Sequence, residues 1–458
     1  MTLFSPVDDD VAAENLRSTL GERIVLAGDG GYDTARTPWN TAVDQRPFAV
    51  ALPETDDDVV AVVRAAAASG LRIAPQSTGH GAGALAGTDL SRTVIVSLRA
   101  MRGAVVDPVA RTARVRGGSV WHDVVDATAL HGLTALHGSA GDVGVVGYTL
   151  SGGVSLYGRR HGLAVNSVRS VRLVTAAGEL VTASAAENPE LFWALRGGSG
   201  AFGVVVSLEI DLLPYADVFA GMMLWDGARS AEVGRAWAEW TRRAPASATT
   251  SLRVMHFPPL PELPPFVSGR SVVVVDGAIL ETDAGAETLL APLRELEPEI
   301  DTFARMPTSR VVEVHMDPPE PSPAVSDHAM LRSLDAAAVD AFVAAAFEAR
   351  PMISEIRHMG EGFARASDGP GAVSSVDGEY LLTAISMVPV PEALPGMDAA
   401  VRAVVAAMAE WHGSGIALTF VDRERDSAPG FGASAARLAE LKRLLDPDDT
   451  FAAAHRVG

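Results

Sequence analysis

The run Ala74-Pro75-Gln76-Ser77-Thr78-Gly79-His80-Gly81-Ala82-Gly83 sets an imidazole on a glycine-lined turn. Glycine permits φ > 0 and lets backbone N–H groups approach an anion. The alternation of Leu71-Arg72-Ile73-Ala74 just before it predicts a short strand. A histidine so placed is presented to a ligand, although the same turn chemistry also serves purely structural loops. A second segment, 138–153, places Gly138, Gly141, Gly144, Gly147, Gly152 and Gly153 so that several amides can face one concave side, which suits a pyrophosphate. A glycine-rich loop that merely crosses packed strands has the same composition.

Other chemistries find little support. A dinucleotide fingerprint needs G-x-G-x-x-G at the first strand-to-helix turn of a βαβ unit and an acid about 20 residues on, and the 138–153 segment fails that test. No G-x-x-x-x-G-K-[ST] loop exists, and Lys442 is the only lysine. No G-x-S-x-G elbow occurs, and the histidines are too scattered for an H-x-x-x-H metal site, so no metal is expected. His161, after Arg159-Arg160, reads as a polar surface or phosphate-side residue.

With 458 residues the chain is long enough for two domains and a dinucleotide-sized cofactor. A formal charge of −20 argues against nucleic acid or an anionic membrane as partner, leaving a small-molecule substrate as the expectation. The absence of cysteine excludes disulfides, thiolate metal sites and thiol nucleophiles, so redox work requires a bound cofactor. The first ten residues lack a basic and apolar leader pattern, and no window approaches 18 uninterrupted apolar residues, so a soluble, cytoplasmic protein without membrane contact is expected. Homo-oligomerisation is left open.

The elements that must position these residues follow from periodicity. Helical patterns run over 8–30 and 56–68, the latter with Val59, Val60, Val62, Val63 and Ala66 as an apolar stripe and Gly70 as the stop. Strands are predicted at 94–98, 113–116, 168–175, 179–182 and 203–212, with a hairpin over 174–181 and a helix over 121–130. Pro214 closes this block. Beyond Gly221, strands at 271–275, 278–280 and 380–387 mix with helices at 231–242, 336–349 and 399–412, which indicates a separate α+β domain. Proline-rich connectors occupy 257–266 and 318–323, and a helix is predicted over 435–445.

Taken in order, Trp39-Asn40, Pro47, the 56–68 helix, the His80 turn, the 138–153 segment, Tyr157-Gly158-Arg159-Arg160-His161-Gly162-Leu163, Glu190-Leu191-Phe192-Trp193-Ala194-Leu195-Arg196-Gly197-Gly198 and Phe202-Gly203-Val204-Val205 form a pattern. It resembles the berberine bridge enzyme-like FAD-linked oxidases of the vanillyl-alcohol oxidase, or PCMH-type FAD-binding, superfamily, and is most similar to the subgroup of 6-hydroxy-D-nicotine oxidase. The resemblance implies an α+β fold with an FAD-binding domain over 1–214, a substrate domain with a helix-covered antiparallel sheet over 215–415, and a segment over 416–458 returning to the first. It implies FAD joined covalently through His80, which stands at the histidine of the family's R-S-G-G-H turn, with Gln76 in place of Arg and Thr78 in place of the first Gly.

The same resemblance assigns the pyrophosphate to the amides of Ser77, Thr78, Gly79 and Gly81. Ala82 and Val205 join the cofactor site, as do Gly138, Ala140, Asp142, Val143, Gly144, Gly147, Tyr148, Gly152 and Gly153. Ala140 matches the cysteine of G-T-C-x-x-V-G that forms a second flavin link in many members, so attachment is expected once only. Val143 matches the valine that goes with oxygen access, which favours O2 as electron acceptor.

The base is less legible. The family's Y-x-N reads Ala417-Leu418-Thr419-Phe420, and its C-terminal motifs read Gly432-Ala433-Ser434-Ala435-Ala436-Arg437-Leu438 and Phe451-Ala452-Ala453-Ala454-His455-Arg456-Val457. Alternation in 353–359 sends Ser354, Ile356 and His358 to one face. His358, Glu361 on the following turn and Tyr380 on the next strand are the base candidates, each with an ordinary packing or surface role as its alternative. The expected function is an FAD-dependent oxidase acting at a C–N or C–O carbon of a small or secondary metabolite. A non-oxidative cyclase, isomerase or dehydratase on the same fold, and a flavin-free binding protein, are the alternatives.

Overall fold

The computed structural model describes residues 8–318 and 320–458. Four short strands, β1 (Ile24–Leu26), β2 (Ala49–Ala51), β3 (Arg72–Gln76) and β4 (Thr93–Ser97), lie in the order β1-β2-β4-β3. Here β2, β3 and β4 run parallel, while β1 is antiparallel to β2. Between β2 and β3 runs the helix Asp56–Ala68, as expected. Thr55 Oγ1 accepts the Asp58 amide while the Asp58 carboxylate accepts the Thr55 amide, a reciprocal cap for two otherwise orphaned donors. Val59, Val62, Val63 and Ala66 are buried against the sheet, which fixes where β3 ends and the His80 turn begins.

The helical pattern over 8–30 is shorter than expected. The helix Asp9–Leu20 stops at Gly21, whose φ of 57° leaves the helical region, and the β-branched Ile24 and Val25 pair with β2 instead.

A second, antiparallel sheet has the order β5-β6-β9-β7-β8, from β5 (Ala104–Asp107), β6 (Thr112–Arg116), β7 (Val168–Val174), β8 (Leu180–Ser184) and β9 (Val204–Asp211). The expected 174–181 hairpin is the β7–β8 turn. The helix Trp121–Ala129 agrees with its prediction to within one residue.

The third sheet comprises β10 (Asp217–Asp226), β11 (Ala248–His256), β12 (Ser271–Ile279), β13 (Ile300–Asp301), β14 (Ala304–Pro307), β15 (Ala324–Leu331), β16 (Ile353–His358) and β17 (Tyr380–Met387). Its order is β13-β10-β12-β11-β16-β17-β15, with β14 also on β10. The two runs expected at 271–275 and 278–280 are one strand. Gly277 continues it because a Cβ there would stand 2.2 Å from the Thr249 carbonyl oxygen. The helix expected at 399–412 lies at Leu394–Ala407, since Pro395 fits a first helical turn and starts it early.

The two faces of this sheet differ. One packs on the helices Ser230–Thr241, Asp283–Arg294, Ala336–Ala349 and Leu394–Ala407 around Trp225, Trp237 and Phe342. On the other, Arg357 of β16 is in register with Leu381 of β17 and Met330 of β15, and both of those join the core that holds Tyr148 and Leu418. This second face shares that core with the 138–153 segment. The chain then returns to the first sheet: the Ile73 amide donates to the Thr450 carbonyl and the Ala452 amide to that of Ile73, both at 2.8 Å. Among the described residues no helix is long and apolar enough to cross a membrane, and no cluster of ligands could hold a metal ion.

Candidate cofactor site

Strand β3 ends at Gln76, and the turn that follows is built as its composition suggests. Gly79 has a φ of 85°, and a Cβ there would lie 2.6 Å from the Pro38 side chain, so only glycine fits. Among the described residues, none of the five amides from Ser77 to Gly81 donates a backbone hydrogen bond within the protein. Successive free N–H groups on such a turn are suited to a phosphate anion.

His80 stacks on the Trp39 indole, ring centroids 3.9 Å apart and 20° from parallel. Its Nε2 lies 3.5 Å from Asp142 Oδ2, and neither atom has a hydrogen-bond partner. Trp39 is held in turn, its amide donating to the Thr78 carbonyl at 2.9 Å.

His80 edges a cavity open to solvent. Its floor is the turn 76–82, including Gln76, Ser77, Thr78, Gly81 and Ala82, and its walls include Val143, Gly144, Gly147, Tyr148 and Val205. In the helix Val145–Leu150 only Gly147 is exposed, and a Cβ on it would meet nothing within 4 Å. The one side-chain-free position of that helix therefore opens into the cavity. Gly144 is needed for close approach, since a Cβ there would lie 2.5 Å from Ser77 Oγ.

Not every expected residue lines the space. Asp142 lies against His80 and is not part of the lining. Gly138 and Gly153 pack against the Tyr148 ring, and Gly153 donates its amide to Thr419 Oγ1 at 2.8 Å. Gly152, with φ 113°, faces Thr419, and Ala140 is absent from the lining.

Sequence reasoning missed several walls. Leu418, Thr419, Val421 and His455 come from the C-terminal segment, and Leu98, Gly117, Ser199 and Gly200 from between the first two sheets. His455 is buried, its Nε2 3.1 Å from Ser151 Oγ, and burial lowers its pKa to about 4, so it is neutral near pH 7. Its only sequence signal was its place in an eroded motif.

The three base candidates lie elsewhere. His358 and Tyr380 are on the helix-covered face of the third sheet, stacked on each other at 5.4 Å beside Trp237. His358 contacts the Arg159 guanidinium, and burial together with that charge lowers its pKa to about 2. The Tyr380 hydroxyl is paired with Thr241 Oγ1 at 2.7 Å. Glu361 is exposed on the following turn. None of the three lines the cavity. Alternation separated the two faces correctly but chose the one that binds helices; the opposite face of β16 carries Glu355 and Arg357.

Residues 47–184 match the family model described as FAD binding domain. The chain carries an FAD-binding domain on a berberine bridge enzyme-like fold. FAD is thus its cofactor, and the free amides, the orphaned Ser77 Oγ and His80 Nε2, and the opening at Gly147 all fit that group.

The fold superposes on wild-type BBE-like 1 of Physcomitrella patens with a TM-score of 0.83 at 19% identity, covering 98% of this chain and 99% of that one. It superposes on 6-hydroxy-D-nicotine oxidase of Arthrobacter nicotinovorans with a TM-score of 0.82 at 23% identity, covering 95% and 97%. In sequence, the chain is 35% identical over 204 residues to the (R)-6-hydroxynicotine oxidase of Paenarthrobacter nicotinovorans, 44% of each chain. It is 32% identical over 231 residues to the xylooligosaccharide oxidase of Thermothelomyces thermophilus, 49% of this chain and 46% of that one. The matched stretch thus spans less than half the length of these curated relatives.

Proposed function

We propose that this protein is a cytoplasmic FAD-linked oxidase that takes a hydride from a C–N or C–O carbon of a small or secondary metabolite, with FAD attached once through His80. The observation that carries this reading is the imidazole of His80 at the cavity edge, held between Trp39 and Asp142 on a turn of free amides. Bound FAD supplies the hydride acceptor, and O2 takes the electrons onward as H2O2.

The chain's own residues have three tasks. The amides of 77–81 bind the pyrophosphate. Asp142 holds the His80 ring with Nε2 toward the carboxylate, leaving Nδ1 as the free nitrogen. The apolar wall of Val143, Val146, Val205 and Leu418 limits water around the reacting centre. Absence of cysteine, with Ala140 at the matching position, supports single attachment. Apart from Tyr148, no phenol or carboxylate lines the cavity, which favours an amine substrate, because a free-base amine brings no proton that the protein must remove.

The test is a spectrum and a peroxide assay. Protein precipitated in acid should keep its yellow colour, and turnover should release one H2O2 per product. Colour lost entirely to the supernatant would overturn covalent attachment, and turnover without peroxide would overturn the oxidase assignment.

A further inference from the structure

The stretch Ala453-Ala454-His455 is a partition. Ala453 and His455 line the cofactor cavity and also a second cavity behind it, whose other walls include Arg72, Thr88 and Lys442. A segment with open space on both faces has fewer packing contacts to fix it than one pressed on a core. Ala453 and Ala454 are only half-buried, and Val457 is the next apolar side chain that is fully buried.

Up to Ala452 the backbone is tied down. The Ile73 amide donates to the Thr450 carbonyl and the Ala452 amide to that of Ile73. The Asp446 carboxylate accepts the amides of Thr450 at 2.8 Å and Phe451 at 3.0 Å, and is itself held by Lys442 at 2.5 Å. Beyond Ala452, among the described residues, one hydrogen bond fastens the chain: His455 Nε2 lies 3.1 Å from Ser151 Oγ.

Ser151 is a fixed anchor for it. This residue ends the helix Val145–Leu150 and lines the cavity. Its carbonyl accepts Thr419 Oγ1 at 3.0 Å, and the same oxygen of Thr419 accepts the Gly153 amide at 2.8 Å. The two C-terminal pieces that wall the cavity, 418–421 and 453–455, therefore close on one turn. Thr419 stands in the run that replaces Y-x-N, and His455 lies between Ala454 and Arg456, where the family pattern has asparagines. Departures that look unrelated in sequence meet at Ser151.

We infer that His455 is a positioning residue for the cofactor: through its bond to Ser151 it pins the 453–455 partition against bound FAD and slows release of the cofactor. The inference rests on the FAD reading of this cavity. A neutral hydrogen bond suffices, with no charge on the ring.

The test measures FAD release in a His80→Ala background, where binding is reversible, by dilution into FAD-free buffer followed by flavin fluorescence. The thermal midpoint of each FAD-free protein is recorded alongside. Losing one neutral hydrogen bond corresponds to release about fivefold faster. Ser151→Ala and His455→Leu should each show that increase, and the two together no more than either alone, because they remove the same bond. His455→Gln, whose amide can reach as far as Nε2, should restore release to within about twofold of the background. Release at the background rate in Ser151→Ala and His455→Leu, with or without a lower midpoint, would overturn the proposal by showing a bond that serves folding alone. A His455→Gln protein as fast as His455→Leu would overturn it as well. Ser151→Ala breaks the bond without touching the ring, so the question is decided even if His455→Leu fails to fold. Wild-type protein that is colourless and binds no added FAD would overturn the FAD reading along with this one.

Discussion

At the scale of single residues, His80 gains its meaning from two neighbours. Trp39 stacks on the ring, and the Asp142 carboxylate lies 3.5 Å from its Nε2. His80→Ala should therefore abolish acid-stable flavin while reversible FAD binding persists, measured as colour in the precipitate against colour in the native protein. Asp142→Asn should keep the pocket but slow covalent attachment at least about 10-fold, since a carboxylate that orients and polarises an imidazole is worth that much or more. Acid-stable flavin appearing at the wild-type rate when apoprotein is mixed with FAD would show that Asp142 is a bystander.

The turn and its histidine could be read from the sequence because local chemistry decides them, whereas Asp142 came only with the family resemblance. Which face of β16 packs on helices could not be read there. Alternation divides Ser354, Ile356 and His358 from Glu355 and Arg357, but which set is covered depends on helices distant in sequence.

At the scale of elements, a short helix shapes the cavity by what it lacks. Gly147 is the exposed position of Val145–Leu150, and no side chain stands where we propose that FAD lies. Gly147→Val should occupy that space without clashing with the protein, so the folded variant should purify with at least about 10-fold less flavin, read from the ratio of flavin to protein absorbance. Flavin content equal to wild type would place the cofactor elsewhere.

The helix Asp56–Ala68 was legible from its cap and stripe, and the helix Ala435–Leu445 from its periodicity and Asp446-Pro447. Strand β12 was not, because Gly277 looks like a break in sequence and is a close crossing in space. The early end of the first helix was missed for the opposite reason, since its apolar spacing continues into a strand.

At the scale of the whole molecule, Asn40 is the knot. Its amide nitrogen donates to the Ala324 carbonyl at 3.0 Å and to Asp422 Oδ2 at 2.9 Å, while its oxygen accepts the amides of Ala42 and Ala324. Asp422 also accepts the Gly83 amide at 3.0 Å, so the His80 turn, the third sheet and the C-terminal segment meet in one side chain pair. Burial raises the Asp422 pKa to about 7, only partly offset by the bonds from Gly83 and Asn40.

With the folded pKa above the unfolded value of 3.8, the native state holds a proton that the unfolded chain has lost. The stability Asp422 contributes therefore falls as pH rises from about 4 to about 7 and is level beyond. The advantage of wild type over Asp422→Ser in thermal midpoint should accordingly be larger at pH 5 than at pH 8; an advantage that grows with pH would show the reverse linkage. None of this was visible in sequence, since residues 40, 83, 324 and 422 are joined only by the fold.

The cavity that receives FAD takes Gln45 from one end of the chain and Ala453, Ala454 and His455 from the other. A nascent chain on the ribosome has the glycine turn early but lacks the wall that closes over it until the last residues emerge. If FAD occupies this cavity as proposed, its enclosure depends on residues 453–455 as much as on the glycine turn, and a truncation before residue 453 should lose the enclosed flavin.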